Sequence, residues 1–221
     1  MKKLKFGFTV VEMITAMAIV GVTAAFVIPM TVKSFNKHQY GIVLGKAVQQ
    51  IINGNQSMIQ LANMNSDDGR FSNDIDAFTE GDLYPNVGGQ NNLRGVLNNV
   101  ISPFWGVSSE TNLNDIQIRD FNNNVANGDV RDAINDHSAD DPHVFKFNQI
   151  PASVALVNNN TWFVYIDVTG IKNPPNTFGK DIFGFELLND GTLRPFNDDA
   201  RGNGFRFTER IIRDNFRITY Y

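Results

Sequence analysis

The stretch that decides the fold is "KKLKFGFTVVEMITAMAIVGVTAAFVIP", residues 2–29. Its polar start contains three lysines and ends at Gly7, and the chain from Phe8 to Val32 is apolar apart from Glu12 and scattered threonines. As a helix, a segment of this length spans about 37 Å, enough to cross a bilayer core of about 30 Å. Lysines before such a segment indicate a cytoplasmic N-terminus. The sequence therefore predicts one membrane-spanning helix.

Glu12 is the unusual residue of this segment. A charge inside a membrane helix costs on the order of 3 kcal/mol on insertion scales, so the residue needs a partner and a function. An alternative interpretation is an ordinary signal peptide that is cleaved near Val22-Thr23-Ala24. The charge at Glu12 and the continuation of the apolar run to Ile28 both count against a signal peptide.

The residues around Gly7 resemble the N-terminus of type IV pilins and type II secretion pseudopilins. In that family a basic leader ends in glycine, a prepilin peptidase cuts after it, and the new N-terminal residue is methylated. The resemblance implies cleavage between Gly7 and Phe8, N-methylation of Phe8, and a role for Glu12 in assembly. Gly21 and Pro29 also fall where many pilins have a glycine and a proline.

Cleavage after Gly7 would create an α-amino group at Phe8, one helical turn before Glu12. In a bundle of identical subunits, the Glu12 carboxylate can pair with the N-terminal ammonium of a neighbour. Such a pair offsets the desolvation of the charge and sets the register of the helices. The resemblance implies the same contact, so we expect the partner of Glu12 in another subunit.

Pro29 and Gly21 predict a weak region within the helix. Pro29 removes a backbone hydrogen bond and should kink or loosen the turn near Ala25, and Gly21 lowers helix propensity further. In filaments of the resembled family the segment between such residues can melt. The alternative is that membrane helices tolerate both residues without consequence.

The chain becomes amphipathic after Pro29, and apolar residues recur there at four-residue spacing, which predicts a helix with one buried face. These residues are Val43, Ala47 and Ile51 and the parallel series Leu44, Val48 and Ile52. We expect this helix to end near Asn63. His38 is expected on its exposed face.

The rest of the chain predicts a small antiparallel sheet at about residues 152–196, built from two hairpins. The strands are "SVALV" with "TWFVYIDV" and "IFGFELL" with "TLRPF". We expect short helices at 91–101, 130–136 and "TERIIRDN", with "FRITYY" as a closing strand.

These elements define an α+β fold class in which a long N-terminal helix packs on a pilin-like sheet head. The predicted divisions are a leader at 1–7, a transmembrane and assembly half of the helix at 8–32, an amphipathic half at 33–64 and a globular head at 65–221.

The loop "DVTGIKNPPNTFGKD", residues 167–181, is a candidate calcium site because hard cations favour oxygen ligands from such loops. Its oxygen donors are Asp167, Asn173, Asn176 and Asp181. Some major pseudopilins carry calcium in a comparable late loop. The alternative is a turn-rich loop whose Asp and Asn side chains bind the backbone.

Other polar clusters favour a solvated surface over chemistry. His137 and His143 are six residues apart in "DHSADDPH", which is not the i, i+4 spacing of a helical zinc pair, and the C-terminal arginines alternate with acidic residues. These arginines are Arg201, Arg206, Arg210, Arg213 and Arg217. A surface of ion pairs or a subunit contact is the expected role, with DNA capture as the alternative.

Composition narrows the function classes. The chain of 221 residues has no cysteine, which excludes disulfides and thiolate chemistry. Its net charge of −4 includes the three leader lysines, so the processed chain would carry −7, a poor generic binder of nucleic acid. It has no P-loop, G-x-S-x-G, G-x-G-x-x-G or H-E-x-x-H pattern, so no enzyme activity is expected.

We therefore expect a structural subunit of a type IV pilus-like filament. The implied partners are further copies of the chain, related minor pilins, a prepilin peptidase and an inner-membrane assembly platform. The implied location is the inner membrane for the precursor and the periplasm or cell surface for the filament. A pseudopilin of a type II secretion system, a membrane-anchored binding module that does not polymerise and a secreted enzyme are the alternatives.

Overall fold

The computed structural model describes residues 7–65, 101–110, 113, 116–126, 143–158, 162–188, 191–196 and 206–221. The chain divides into two compact units, residues 1–39 and 40–221. The helices are α1 (Val10–Asn65), the single-turn α2 (Ser102–Trp105) and α3 (Arg206–Arg213). The predicted helix at 91–101 apart from Ile101, the predicted helix at 130–136, the leader lysines, His137 and Arg201 lie outside the described residues.

The first unit contains the N-terminal part of α1, which is helical without interruption through Gly21 and Pro29. The hydroxyls of Thr15, Thr23 and Thr31 each donate to the backbone carbonyl four residues earlier, so these polar groups are satisfied within the helix. By length and composition α1 is apolar enough to be a membrane span or a signal anchor.

The second unit contains a six-stranded antiparallel sheet in which each strand pairs with the next along the chain. The strands are β1 (Val107–Ser109), β2 (Val144–Phe147), β3 (Ser153–Asn158), β4 (Trp162–Asp167), β5 (Ile182–Leu187) and β6 (Leu193–Pro195). The two predicted hairpins are confirmed as β3–β4 and β5–β6. The predicted limits of 152–196 were too narrow, because β1 and β2 precede them.

One face of the sheet packs against the amphipathic part of α1, as predicted. Leu44, Ala47 and Ile51 are fully buried in the same cluster as Val164 of β4 and Phe183 of β5. Lys46, Gln49 and Asn53 are exposed, so this part of α1 has one buried and one polar face. The predicted fold class is confirmed: a long N-terminal helix packs with an antiparallel sheet in an α+β layout consistent with a pilin-like fold.

The other face of the sheet is also covered. Phe163 and Tyr165 of β4 lie in a second core cluster with Ile118, Ile171 and Phe178 from the connecting segments. A strand buried on both faces reads as a continuous apolar run, which is how "SVALV" appears in the sequence.

A buried polar network fastens α1 to the head. The indole Nε1 of Trp105 donates to Asn55 Oδ1 at 2.8 Å, and Asn55 Nδ2 donates to the Gly191 carbonyl at 2.8 Å. The Gln50 amide, which is half-buried, donates to the Trp105 carbonyl at 2.7 Å. Because Asn55 is fully buried, these bonds satisfy polar groups that would otherwise destabilise the core.

The C-terminal segment differs from its prediction. "TERIIRDN" is confirmed as helical through α3, but "FRITYY" forms no strand. Phe216 packs its ring on Gly45, and its carbonyl lies so close to Gly41 that a Cβ there would be 1.8 Å from the oxygen. Ile218 is buried in the same core cluster as α1. The alternating apolar residues thus pack on the helix instead of pairing with a sheet edge.

Candidate functional site

Two carboxylate sites stand out, and the first is at the start of α1. The backbone N–H and the hydroxyl of Thr9 donate to Glu12 Oε2 at 2.8 and 2.9 Å, and the Glu12 N–H donates to Thr9 Oγ1 at 3.2 Å. This reciprocal pattern is a capping box, which satisfies the free N–H groups at a helix start. The sequence analysis missed it, although the spacing Thr-x-x-Glu signals it.

The capping box leaves part of Glu12 available. Both bonds that the side chain accepts go to Oε2, and no donor in the described part of the chain reaches Oε1. Gly7 and Phe8 are exposed in irregular backbone directly before the helix. The predicted cleavage junction is therefore accessible, and the expected pairing of Glu12 with another subunit stays a prediction.

The second site lies between β4 and β5. Asp167 ends β4, Asp181 directly precedes β5, and the N–H of Val168 donates to the Asp181 carbonyl at 2.9 Å. Both side chains are buried, with relative exposures of 2% and 1%. Within the described residues, no lysine or arginine forms an ion pair with either carboxylate.

Burial raises the pKa of both acids, and the charge of Asp181 raises that of Asp167 further. Desolvation and the charge of Asp181 raise the pKa of Asp167 to about 8. Desolvation raises the pKa of Asp181 to about 6, against the lowering effect of the backbone N–H groups of Thr177, Asp181 itself and Asn176. The pair is thus costly to ionise without a counter-charge.

Each carboxylate is fixed through only one of its oxygens. Asp167 Oδ1 accepts the N–H and hydroxyl of Thr169, both at 2.9 Å, and Asp181 Oδ1 accepts the N–H of Thr177. Three other buried oxygens, Asp167 Oδ2, Asp181 Oδ2 and Asn176 Oδ1, receive no hydrogen bond from any described residue. Two carboxylate oxygens and one amide oxygen suit a hard divalent cation.

Asn173, the fourth residue of the predicted calcium set, does not join the other three. Its side chain is exposed, and its amide nitrogen donates to the Thr169 carbonyl at 2.6 Å. Asn176 is buried, and its amide nitrogen donates to the Ile171 carbonyl at 2.7 Å, which leaves Oδ1 as the orphaned atom. The described residues hold no cluster of three or more His, Cys, Asp or Glu. A cation site at the two carboxylates would therefore need the amide oxygen of Asn176 as well.

The other candidates are unremarkable where they are described. His38 is exposed, as predicted. Arg210 and Arg213 lie 3.9 and 4.0 Å from the Asp214 carboxylate, in agreement with a surface of ion pairs, and the Arg210 guanidinium also lies 5.3 Å from the centre of the Tyr220 ring.

The fold and these sites define an α+β protein whose long N-terminal helix exposes an apolar segment and whose head buries an acidic pair. Comparison with protein-family models, curated proteins and solved structures found no match.

Proposed function

We propose that this protein is a structural subunit of a type IV pilus-like filament, cut by a prepilin peptidase after Gly7 and polymerised through α1. The observation that carries the proposal is the surface of the first unit. Every residue from Phe8 to Val32 is exposed except the half-exposed Ala24, so apart from Glu12 and the threonines α1 exposes apolar side chains on all sides there. An apolar surface of this extent needs lipid or protein around it.

Lipid would cover this surface first, and neighbouring subunits would cover it after assembly. As a precursor, the segment spans the inner membrane with its lysines in the cytoplasm. In a filament, the same side chains pack against α1 of other copies. A surface without a polar face suits both environments because it has no side that must contact water.

Glu12 supports polymerisation over simple anchoring. An anchor has no use for a carboxylate in its first apolar turn, whereas an assembling helix can use one to set register. Thr9 satisfies Oε2 within the subunit, and this lowers the cost of holding the charge in lipid. Oε1 then accepts the N-terminal ammonium of a neighbour, which cleavage after Gly7 creates.

The partners in this proposal are further copies of the chain, related minor pilins, the prepilin peptidase and an inner-membrane assembly platform. A pseudopilin of a type II secretion system uses the same chemistry and differs in the machinery that assembles it. A non-polymerising, membrane-anchored module is the contrasting class, and it predicts an isolated chain in the membrane.

The test compares the wild type with Glu12→Leu in bacteria that carry a prepilin peptidase and a pilus or pseudopilus assembly system but lack its major subunit. We expect Glu12→Leu to insert and to be cleaved normally while filament yield falls at least tenfold. Glu209→Leu is the matched control, because Glu209 is an exposed acid of α3 and its loss should leave filament yield unchanged. Normal filaments from Glu12→Leu would refute the pairing.

A cross-linking measurement separates a filament subunit from a lone anchor. The chain has no cysteine, so a single cysteine at the exposed Met17 reports directly on neighbouring copies of α1. After membranes are treated with an added oxidant, copper phenanthroline, we expect disulfide-linked dimers, and we expect Glu12→Leu to reduce them. Processed but monomeric chains that form no filaments would favour the anchored module.

A further inference from the structure

The exposed apolar part of α1 ends at a pair of lysines. Lys33 directly follows Val32, and Lys37 comes one helical turn later. Lys33 is exposed and Lys37 is half-buried. Because residues four apart lie on the same face of a helix, with Cβ atoms about 5–6 Å apart, the two ammonium groups can approach one ligand together.

The two lysines carry like charges that α1 itself does not offset. The helix contains no Asp or Glu after Glu12, which lies at the opposite end of the apolar part. Desolvation lowers the pKa of Lys37, and the charge of Lys33 lowers it further, so the two ammonium groups are close enough to repel each other. An anion bound between them would offset this repulsion and favour the charged form of both.

The position of the pair along α1 matches the headgroup layer of a bilayer. With Phe8–Val32 in the hydrocarbon core, as the proposed function has it, Lys33 and Lys37 lie about 2 and 8 Å beyond the core at a rise of about 1.5 Å per residue. The headgroup layer extends about 5–8 Å beyond the core on each side. Lys46 lies about 21 Å beyond the core, which places it out of reach.

Membrane insertion does not explain this pair. Lysines orient a membrane helix when they lie on its cytoplasmic side, and the leader before Phe8 already supplies three of them. Lys33 and Lys37 lie at the other end of the apolar part and oppose that bias. Their charge therefore needs a different function, which an anion on the outer side of the membrane would supply.

The side chains that precede the pair suit a lipid better than a free phosphate. Met30 precedes Lys33 by three residues and Phe26 precedes it by seven, so both lie on the same face of α1 as the lysines. Met30 is 74% exposed and Phe26 is 70% exposed. A cationic pair beside two exposed apolar side chains complements a molecule with a phosphate at one end and hydrocarbon chains at the other.

We propose that Lys33 and Lys37 bind the phosphate of one anionic phospholipid in the leaflet that faces away from the cytoplasm, with its acyl chains along Met30 and Phe26. Two lysines near a membrane surface favour an anionic over a zwitterionic lipid by roughly thirtyfold. The proposal rests on the membrane span of the proposed function and does not depend on polymerisation.

Native mass spectrometry of the full chain in detergent, titrated with phosphatidylglycerol, tests the site. The parent chain for this test carries Lys2→Gln, Lys3→Gln and Lys5→Gln, because the leader lysines would also attract anionic lipid. We expect the first phosphatidylglycerol to bind at least tenfold more tightly to this parent than to the same chain with Lys33→Gln and Lys37→Gln. Phosphatidylcholine should bind equally to both chains.

Lys46→Gln in the same parent is the matched control, because Lys46 is an exposed lysine of α1 beyond the headgroup layer, and it should leave the binding of phosphatidylglycerol unchanged. Lys33→Arg with Lys37→Arg keeps both charges and should also retain binding. Equal affinity of the parent and the Lys33→Gln, Lys37→Gln chain for phosphatidylglycerol would overturn the site. Displacement of the lipid by an equal concentration of glycerol 3-phosphate, which has no acyl chains, would overturn the assignment to a lipid.

Extraction of membranes with alkaline carbonate separates a failure of this site from a failure of the proposed function. We expect the parent and the Lys33→Gln, Lys37→Gln chain to stay in the membrane pellet, since the pair is not needed for insertion. A parent chain that stays in the pellet but shows no preference for phosphatidylglycerol would overturn the lipid site alone. A parent chain that is released into the supernatant would overturn the membrane span, and both proposals with it.

Discussion

The two parts of α1 place similar side chains in opposite surroundings. Ile19 in the first unit is 60% exposed, whereas Ile51 in the second is fully buried. Glycines differ in the same way: a Cβ at Gly21 would meet nothing within 4 Å, whereas a Cβ at Gly41 would meet the Phe216 carbonyl at 1.8 Å. One continuous helix therefore carries one part whose apolar side chains are exposed and one part whose apolar side chains pack on its own head.

The pattern of polar residues decides which part of α1 packs on the head and which part stays exposed. The second part has exposed polar residues such as Lys46 and Gln49 opposite its buried face, so only one orientation on the sheet buries its apolar side. From Val10 to Val32 the first part has no such polar face to orient it. In α1, therefore, apolar side chains alone do not specify which face is buried within the chain, and the opposing polar face does.

The largest expected effect comes from removing a buried side chain of the second part. Leu44→Ala should lower the free energy of unfolding of the head by about 3 kcal/mol, because it leaves a cavity in the core. Ile19→Ala, the matched change in the exposed part, should leave it unchanged. Urea unfolding in detergent, followed by the fluorescence of the two tryptophans, of which Trp105 is fully buried, measures both values.

Equal decreases in the free energy of unfolding for Leu44→Ala and Ile19→Ala would contradict this comparison, because they would mean that the first part also packs on the head.

A smaller effect is expected from adding a methyl group. Gly41→Ala should cost about 1–3 kcal/mol of head stability, because the new Cβ collides with the Phe216 carbonyl and forces the C-terminal tail, residues 214–221, to move. Gly21→Ala should not destabilise the head, and it should strengthen the helix by about 1 kcal/mol through propensity. The same urea measurement compares the two variants. A neutral Gly41→Ala would show that the tail is not held against α1.

Much of the fold could be predicted from local pattern. Three patterns lie within or beside the elements that they predict: the apolar run, the four-residue spacing after Pro29 and the turns between apolar strands. α1 ends at Asn65, two residues beyond the expected Asn63. The strands β1 and β2 escaped prediction because they are only three and four residues long, and because β1 pairs with β2 over a long separation that no local pattern specifies.

The alternating pattern of "FRITYY" is real, but the strand that it predicted was wrong. Phe216, Ile218 and Tyr220 do alternate inward, as in a strand, but they contact α1, the core and the Gly179 carbonyl instead of a sheet edge. Alternation reports an extended, half-buried chain and does not say whether its backbone pairs.

The acidic loop was predictable in composition but not in detail. Sequence alone identifies Asp167, Asn173, Asn176 and Asp181 as oxygen donors in one loop. Which of them have orphaned oxygens depends on burial and on the local bonds of Thr169 and Thr177, so the exclusion of Asn173 required the structure. In the same way Thr9-x-x-Glu12 has the spacing of a capping box, which is readable in the sequence before the structure is known.

The central claim is that the chain is processed as a prepilin, and the mature N-terminus tests it most directly. The full precursor would be expressed in bacteria with a prepilin peptidase, purified from membranes and analysed by intact and N-terminal peptide mass spectrometry. The account predicts a chain that begins at Phe8 and carries one added methyl group on its amino terminus. A mature chain that begins near Ala25, or a precursor that keeps its leader while a known prepilin in the same cells is cut, would contradict it.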